Sequence, residues 1–204
     1  MEKWLEWAIE IQNLAQIGIT YTDNPYDVER YEKLREIASE MIAEKSNISK
    51  DKVKELFCSG IGYPTPKLGT RAAVFKDNKI LLVHENNDTW SLPGGWVDEL
   101  QTIGSNTIKE VKEEAGLDVK ATKIIAIQDH NKHNKPAYSY GISTAFVLCE
   151  LIGGTFKENV ETTEIKYFGL DELPDNLANE KNTKEQIEMC FKAANDDNWQ
   201  TIFD

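Results

Sequence analysis

The chain has 204 residues, 40% hydrophobic and 28% charged, room for an ordinary globular domain plus a small second one and too apolar for a disordered chain. Its 35 acidic residues outnumber 23 basic ones, giving a net charge of −12 at pH 7. That field repels nucleic-acid backbones and anionic lipid, which argues against both as partners unless metal ions mediate.

No apolar run approaches the roughly 18 residues of a membrane span, and "MEKWLEWAIE" is charged and amphipathic where a signal peptide would be apolar. Cys58, Cys149 and Cys190 form no CxxC pair and are odd in number. They read as reduced, mostly buried thiols of a cytoplasmic protein.

Residues 1–62 are expected to form a small all-α domain. Trp4, Trp7, Ala8, Ile11, Leu14 and Ala15 repeat at helical spacing. Asn24-Pro25 supplies an N-cap and a first-turn proline for a second helix, with Leu34, Ile37, Ala38, Met41 and Ile42 as its stripe. Ser49 caps a short third helix through Val53, Leu56 and Phe57. So few residues bury little alone, and the helices are expected to dimerise. "SGIGYPTPK", rich in Gly and Pro, marks the junction, with a second domain at 67–204.

There the pattern turns to strands. "TRAAVF" and "KILLVHE" flank "KDN" as a hairpin, and "TKIIAIQD", "GISTAFVLCEL" and "IKYFGLDELP" are further β-rich runs. Helices are predicted at about 103–115 and 184–194. The fold class is α/β (α+β), a mixed sheet sandwiched between helices.

Between the hairpin and the first of these helices lies "SLPGGWVDELQT". Pro93-Gly94-Gly95 forces a turn whose backbone a ligand or ion can approach closely. Thr102 or Ser105 caps the helix, and Gly116 suits the left-handed position that ends it. Glu110, Glu113 and Glu114 stand at i, i+3 and i+4 on one face, apart from Ile108, Val111 and Ala115. Such carboxylates repel one another. A solvated acidic face salted by Lys109 and Lys112 is one reading; bound Mg²⁺, a hard ion that takes carboxylates, water and phosphate, is the other.

The wider spacing resembles the Nudix box. Over "GWVDELQTIGSNTIKEVKEEAGL", Gly95, Glu110, Val111, Glu113, Glu114, Gly116 and Leu117 fall in register with seven of its specified positions. Two others depart: Gln101 stands where the family has Glu, and Lys109 where it has Arg, and we read them as a substituted structural pair. The resemblance implies a Nudix sandwich that hydrolyses the pyrophosphate of a nucleoside diphosphate linked to another group, with Mg²⁺ or Mn²⁺. By the same resemblance Glu110 and Glu114 lead the metal ligands, with Glu113 and the carbonyl of Gly94 or Gly95 as additional ones. Catalysis falls to Glu113 and Glu114, with Glu161 or Glu164 as candidate general base, of which Glu164 is the choice carried forward.

With the helical piece, the whole chain resembles bacterial Nudix hydrolases that have an N-terminal helical domain and act on CDP-choline-like or UDP-linked compounds, a group often labelled ADP-ribose pyrophosphatase. The loop "QDHNKHNKPAYSYG" collects Asp129, Lys132, His133, Tyr138 and Tyr140 as expected substrate contacts, basic and aromatic in an acidic protein. The alternative function is a Nudix-derived module that binds a nucleotide without cleaving it.

Overall fold

The computed structural model describes residues 2–46 and 48–204. It divides into two compact units, Met1–Pro66 with Ala137–Gly141, and Lys67–Pro136 with Ile142–Asp204. The sequence assigns residues 137–141 to the second domain. The structure puts them in the first unit, where the Tyr140 ring lies 6.1 Å from Phe57.

The first unit is built from α1 (Lys3–Tyr21), α2 (Pro25–Lys45) and α3 (Lys50–Phe57). Asn24 accepts the Tyr26 N–H with Pro25 in the first turn, and Ser49 accepts the Lys52 N–H, so both expected caps form. Ala8, Ile42 and Val53 make its small core. One detail of the α1 stripe differs. The helix buries Ala8, Gln12, Ala15 and Gln16, while Trp7, Leu14 and Tyr21 stand out at 52, 58 and 72% exposure. Small side chains let helices approach closely, which leaves the bulky ones, seven residues apart, on the free face.

The second unit holds β1 (Lys67–Lys76), β2 (Lys79–Glu85), β3 (Trp90–Ser91), α4 (Ile103–Ala115), β4 (Leu117–Asp129), the single turn α5 (His130–His133), β5 (Ile142–Gly154), β6 (Thr162–Phe168), α6 (Lys184–Ala194) and β7 (Ile202–Phe203). Asp77 and Asn78, both with φ near +55° (51° and 57°), make the two-residue turn from β1 to β2. The strands run β3-β2-β1-β5-β4-β7, with β6 also on β2. β1 and β5 are parallel, whereas β5 and β4 are antiparallel, so the sheet is mixed.

Alternation along β2 shows why helices cover both faces. Ile80 and Leu82 enter one core with Phe146, Ile187 and Phe191, whereas Leu81 and Val83 enter another with Val111, Ala115 and Val147. α6 covers the first face and α4 the second. All eight of those β2 and helix residues but Phe191 are fully buried, and each such Val, Leu or Ile side chain contributes about 1.5–3 kcal/mol. The three cysteines are free and buried. Among the described residues no helix is long and apolar enough to cross a membrane.

Candidate active site

The site grows out of the turn after β3. Gly94 has φ +150°, and a Cβ there would meet the Thr70 carbonyl oxygen at 2.0 Å. The turn lies flat on β1, where Ala72 N–H donates to Pro93 O (2.8 Å) and Thr70 N–H to Gly95 O (2.9 Å). α4 is registered to the same place. Thr102 and Ser105 close a reciprocal cap at its start, buried Asn106 donates to Thr70 Oγ1 (3.1 Å), and Gly116 ends it at φ +68°. With Val111 and Ala115 packed into the sheet, the next face of α4 meets the turn.

Two of the three glutamates close on it. Glu114 Oε2 accepts the Gly94 N–H at 2.8 Å. The Glu110 carboxylate lies so near Gly95 that a Cβ there would meet Oε2 at 2.9 Å. Glu113 stands away, 58% exposed, with its carboxylate 3.2 Å from the Lys109 ammonium.

Beneath the turn Arg71 of β1 donates to the carbonyls of Leu92 (3.1 Å) and Gly94. Burial pulls its pKa down, against the opposing charges of Glu114, Glu85 and Glu110. Burial also pushes Glu114 up to about 7, although Arg71 and the Gly94 N–H favour its charged form. Glu110 is raised too, by burial first, with Lys109 opposing. Two half-desolvated carboxylates thus share one turn without enough positive charge to offset them. In front of Glu114 opens a cleft of about 370 Å³, lined by Glu85, Asn86, Asn87, Glu114, Glu161 and Lys181.

The other expected residues fall elsewhere. Glu164 is exposed on β6 opposite His84, and it is Glu161, in the loop before that strand, that lines the cleft. A strand position has no freedom to swing inward. The carbonyls of both turn glycines already accept hydrogen bonds, Gly94 from Arg71 and Gly95 from Thr70. Asp129 caps α5 by accepting the Asn131 N–H, and its own N–H donates to Asp204 Oδ1 (2.9 Å). Asp204 also meets His133 Nε2 at 2.6 Å and Lys132 Nζ at 3.9 Å. These basic groups are drawn to a carboxylate far along the chain, and buried Asn134, Gln186 and Gln128 hydrogen-bond behind them. Tyr138 and Tyr140 stack on each other (5.4 Å, 17°) in the helical unit. None of the five lines the Glu114 cleft.

The two departures from the box do not pair with each other. Gln101 accepts from Ser105 Oγ (2.6 Å), while Lys109 turns to Asp98 (3.1 Å), Glu113 (3.2 Å) and Glu110 (3.6 Å). Asp98 supplies the partner carboxylate that Gln101 lacks. Arg71, Glu85, Asp98 and Lys181 carry no signal in the sequence, since each comes from a separate segment.

Among the described residues no group of three or more His, Cys, Asp or Glu side chains is arranged to hold a metal ion by itself. Magnesium asks less of a protein, one or two carboxylates with water and substrate phosphate completing the shell. Glu110 and Glu114 are such a donor set. A cation beside them would offset the desolvation that now raises both carboxyls. The residues fit the ion.

Residues 65–189 match the family model described as the NUDIX domain. The chain belongs to the Nudix family. Residues 2–57 match a second model, described as a UDP-X-like, N-terminal oligomerisation domain. A Bacillus subtilis (strain 168) protein, YjhB, provisionally named an ADP-ribose pyrophosphatase, is 38% identical over 99% of this chain and 97% of its own. A solved UDP-X diphosphatase is 32% identical, covers 98% of this chain and 97% of its own, and superposes with a TM-score of 0.64. The crystal structure of an ADP-ribose pyrophosphatase from Streptococcus suis is 50% identical, covers 69% of this chain and 100% of its own, and also has a TM-score of 0.64. The Nudix protein is therefore a pyrophosphohydrolase acting on nucleoside diphosphate-linked substrates, which decides against the non-catalytic module.

Proposed function

We propose that this Nudix hydrolase cleaves the pyrophosphate of a pyrimidine nucleoside diphosphate conjugate, of the UDP-sugar or CDP-choline kind, with Mg²⁺ held by Glu110 and Glu114. The observation that carries the reading is the closure of both carboxylates on the Gly94-Gly95 turn, with Glu114 also lining the cleft. Held by Glu110 and Glu114, such an ion would supply positive charge against the pyrophosphate and would make water a stronger nucleophile. The chain's own part is positioning. The Gly94 N–H fixes Glu114, Arg71 pins the turn from below, and Glu161 lies across the cleft where it can take a proton from water. Glu113, tied to Lys109, orients that lysine.

The preference for a pyrimidine conjugate is supported by the UDP-X description of the N-terminal model and by the UDP-X diphosphatase likeness along the whole chain. ADP-ribose is the competing substrate, since two relatives bear that name. Steady-state rates on UDP-glucose, CDP-choline and ADP-ribose test it. The expected outcome is a kcat/KM at least about tenfold higher for one of the pyrimidine compounds, a gap that hydrogen-bond reading of a base can supply. A win for ADP-ribose would overturn the base preference.

The enzyme acts as a homodimer through α1. Trp7, Leu14 and Tyr21 form an exposed apolar stripe on a helix within the segment that matches an oligomerisation model.

A further inference from the structure

We infer that Lys181 is the side chain that grips the substrate's diphosphate in the Glu114 cleft, an assignment that rests on the hydrolase reading above. A diphosphate is anionic, and the cleft presents three carboxylates, those of Glu85, Glu114 and Glu161. Besides a metal ion, something cationic must face the substrate. Arg71 is spent on the carbonyls of Leu92 and Gly94 beneath the turn, and Lys109 on Asp98 and Glu113. Among the described residues lining the cleft, Lys181 alone is cationic.

Its position is built, not incidental. The segment before it runs beside β3, where Trp90 N–H donates to Asn176 O (3.0 Å) and Ala178 N–H to Trp90 O (2.9 Å). Lys181 N–H then closes a turn on Ala178 O at 2.8 Å. On the other side fully buried Asn182 accepts the Leu92 N–H through Oδ1 at 2.8 Å. Lys181 is thus fixed between two anchors to the strand and turn that carry Gly94.

Its side chain is aimed as well. The ammonium pairs with Glu85 Oε2, while Glu85 Oε1 accepts from Ser91 Oγ at 2.6 Å. Ser91 orients the carboxylate, and the carboxylate draws the ammonium to the cleft. An ammonium has three N–H donors, and Glu85 takes one, so a phosphoryl oxygen can be met without breaking the pair. Phosphate contacts of this charge-assisted kind are the strong ones. A pair serving only to tie the loop would contribute little at this partial exposure, and it would influence stability without touching ligand affinity.

That difference sets the experiment. Calorimetry with the full chain in Mg²⁺ measures binding of the α,β-methylene analogues of UDP and ADP, which share a diphosphate and cannot be cleaved at it. Lys181→Met removes the charge, and Lys181→Gln removes it while keeping a donor for Glu85. Both variants are expected to bind the tighter analogue about tenfold more weakly or worse, with melting temperatures near wild type, and Lys181→Arg is expected to recover most of the loss. Unchanged affinity in the folded Met and Gln variants, or no binding of either analogue to the wild type, would overturn the assignment. Turnover is scored separately. A wild type that binds the analogues through Lys181 yet cleaves no conjugate sinks the hydrolase reading alone, and cleavage with unchanged affinity in the variants sinks Lys181 alone.

Discussion

Glu110 and Glu114 stand one helical turn apart, and both reach the backbone of two consecutive glycines for different reasons. At Gly94 the backbone conformation itself is needed, because φ +150° and the Thr70 carbonyl 2.0 Å from any Cβ leave no room for a side chain. Gly94→Ala is therefore expected to destabilise the fold by about 2–4 kcal/mol, read as a lowered urea midpoint. At Gly95 the obstacle is only the movable Glu110 carboxylate. Gly95→Ala should cost less than about 1 kcal/mol of stability and still lower turnover by displacing Glu110. A Gly95→Ala enzyme with wild-type kcat would show that Glu110 has no part in the chemistry. The spacing of the glutamates was legible because one helix carries them all. Arg71, Glu85 and Lys181 were not, since their meeting depends on how β1, β2 and the segment before α6 pack, which no local pattern encodes.

Among the elements, α4 is the one whose ends could be read directly. Thr102, Ser105 and Gly116 have local chemistry that forces a start and a stop. Thr102→Ala should remove about 1 kcal/mol of stability by orphaning the Ser105 N–H, measurable by denaturant unfolding. The strands of "KILLVHE" and "TKIIAIQD" were legible from their β-rich composition. β3 and β7, two residues each, are too short to carry a pattern and exist because neighbouring strands supply their hydrogen bonds. The loop after β4 holds a contact of the same long-range kind, which no local pattern announces. Its basic residues suggest an anion from outside, and within the chain they meet Asp204, 71 residues beyond His133. The two general-base candidates differ in placement at the same scale, Glu164 lying on a strand and Glu161 in the preceding loop at the cleft.

For the molecule as a whole, the helical unit matters through what it leaves uncovered. Trp7, Leu14 and Tyr21 repeat every seven residues along the free face of α1, a spacing suited to a second helix. Light scattering should return about twice 23.2 kDa, and Trp7→Glu with Leu14→Glu should halve it. A monomeric wild type would remove the homodimer. The chemistry is tested most directly by comparing the wild type with Glu114→Gln at saturating Mg²⁺ on the conjugate the wild type cleaves fastest. The expected result is turnover by the wild type that chelation abolishes, and a kcat about a hundredfold lower or worse in a variant that melts as the wild type does. A Glu114→Gln enzyme that keeps the wild-type rate, or a wild type indifferent to chelator, would contradict the assignment of the metal-assisted site to the Gly94-Gly95 turn.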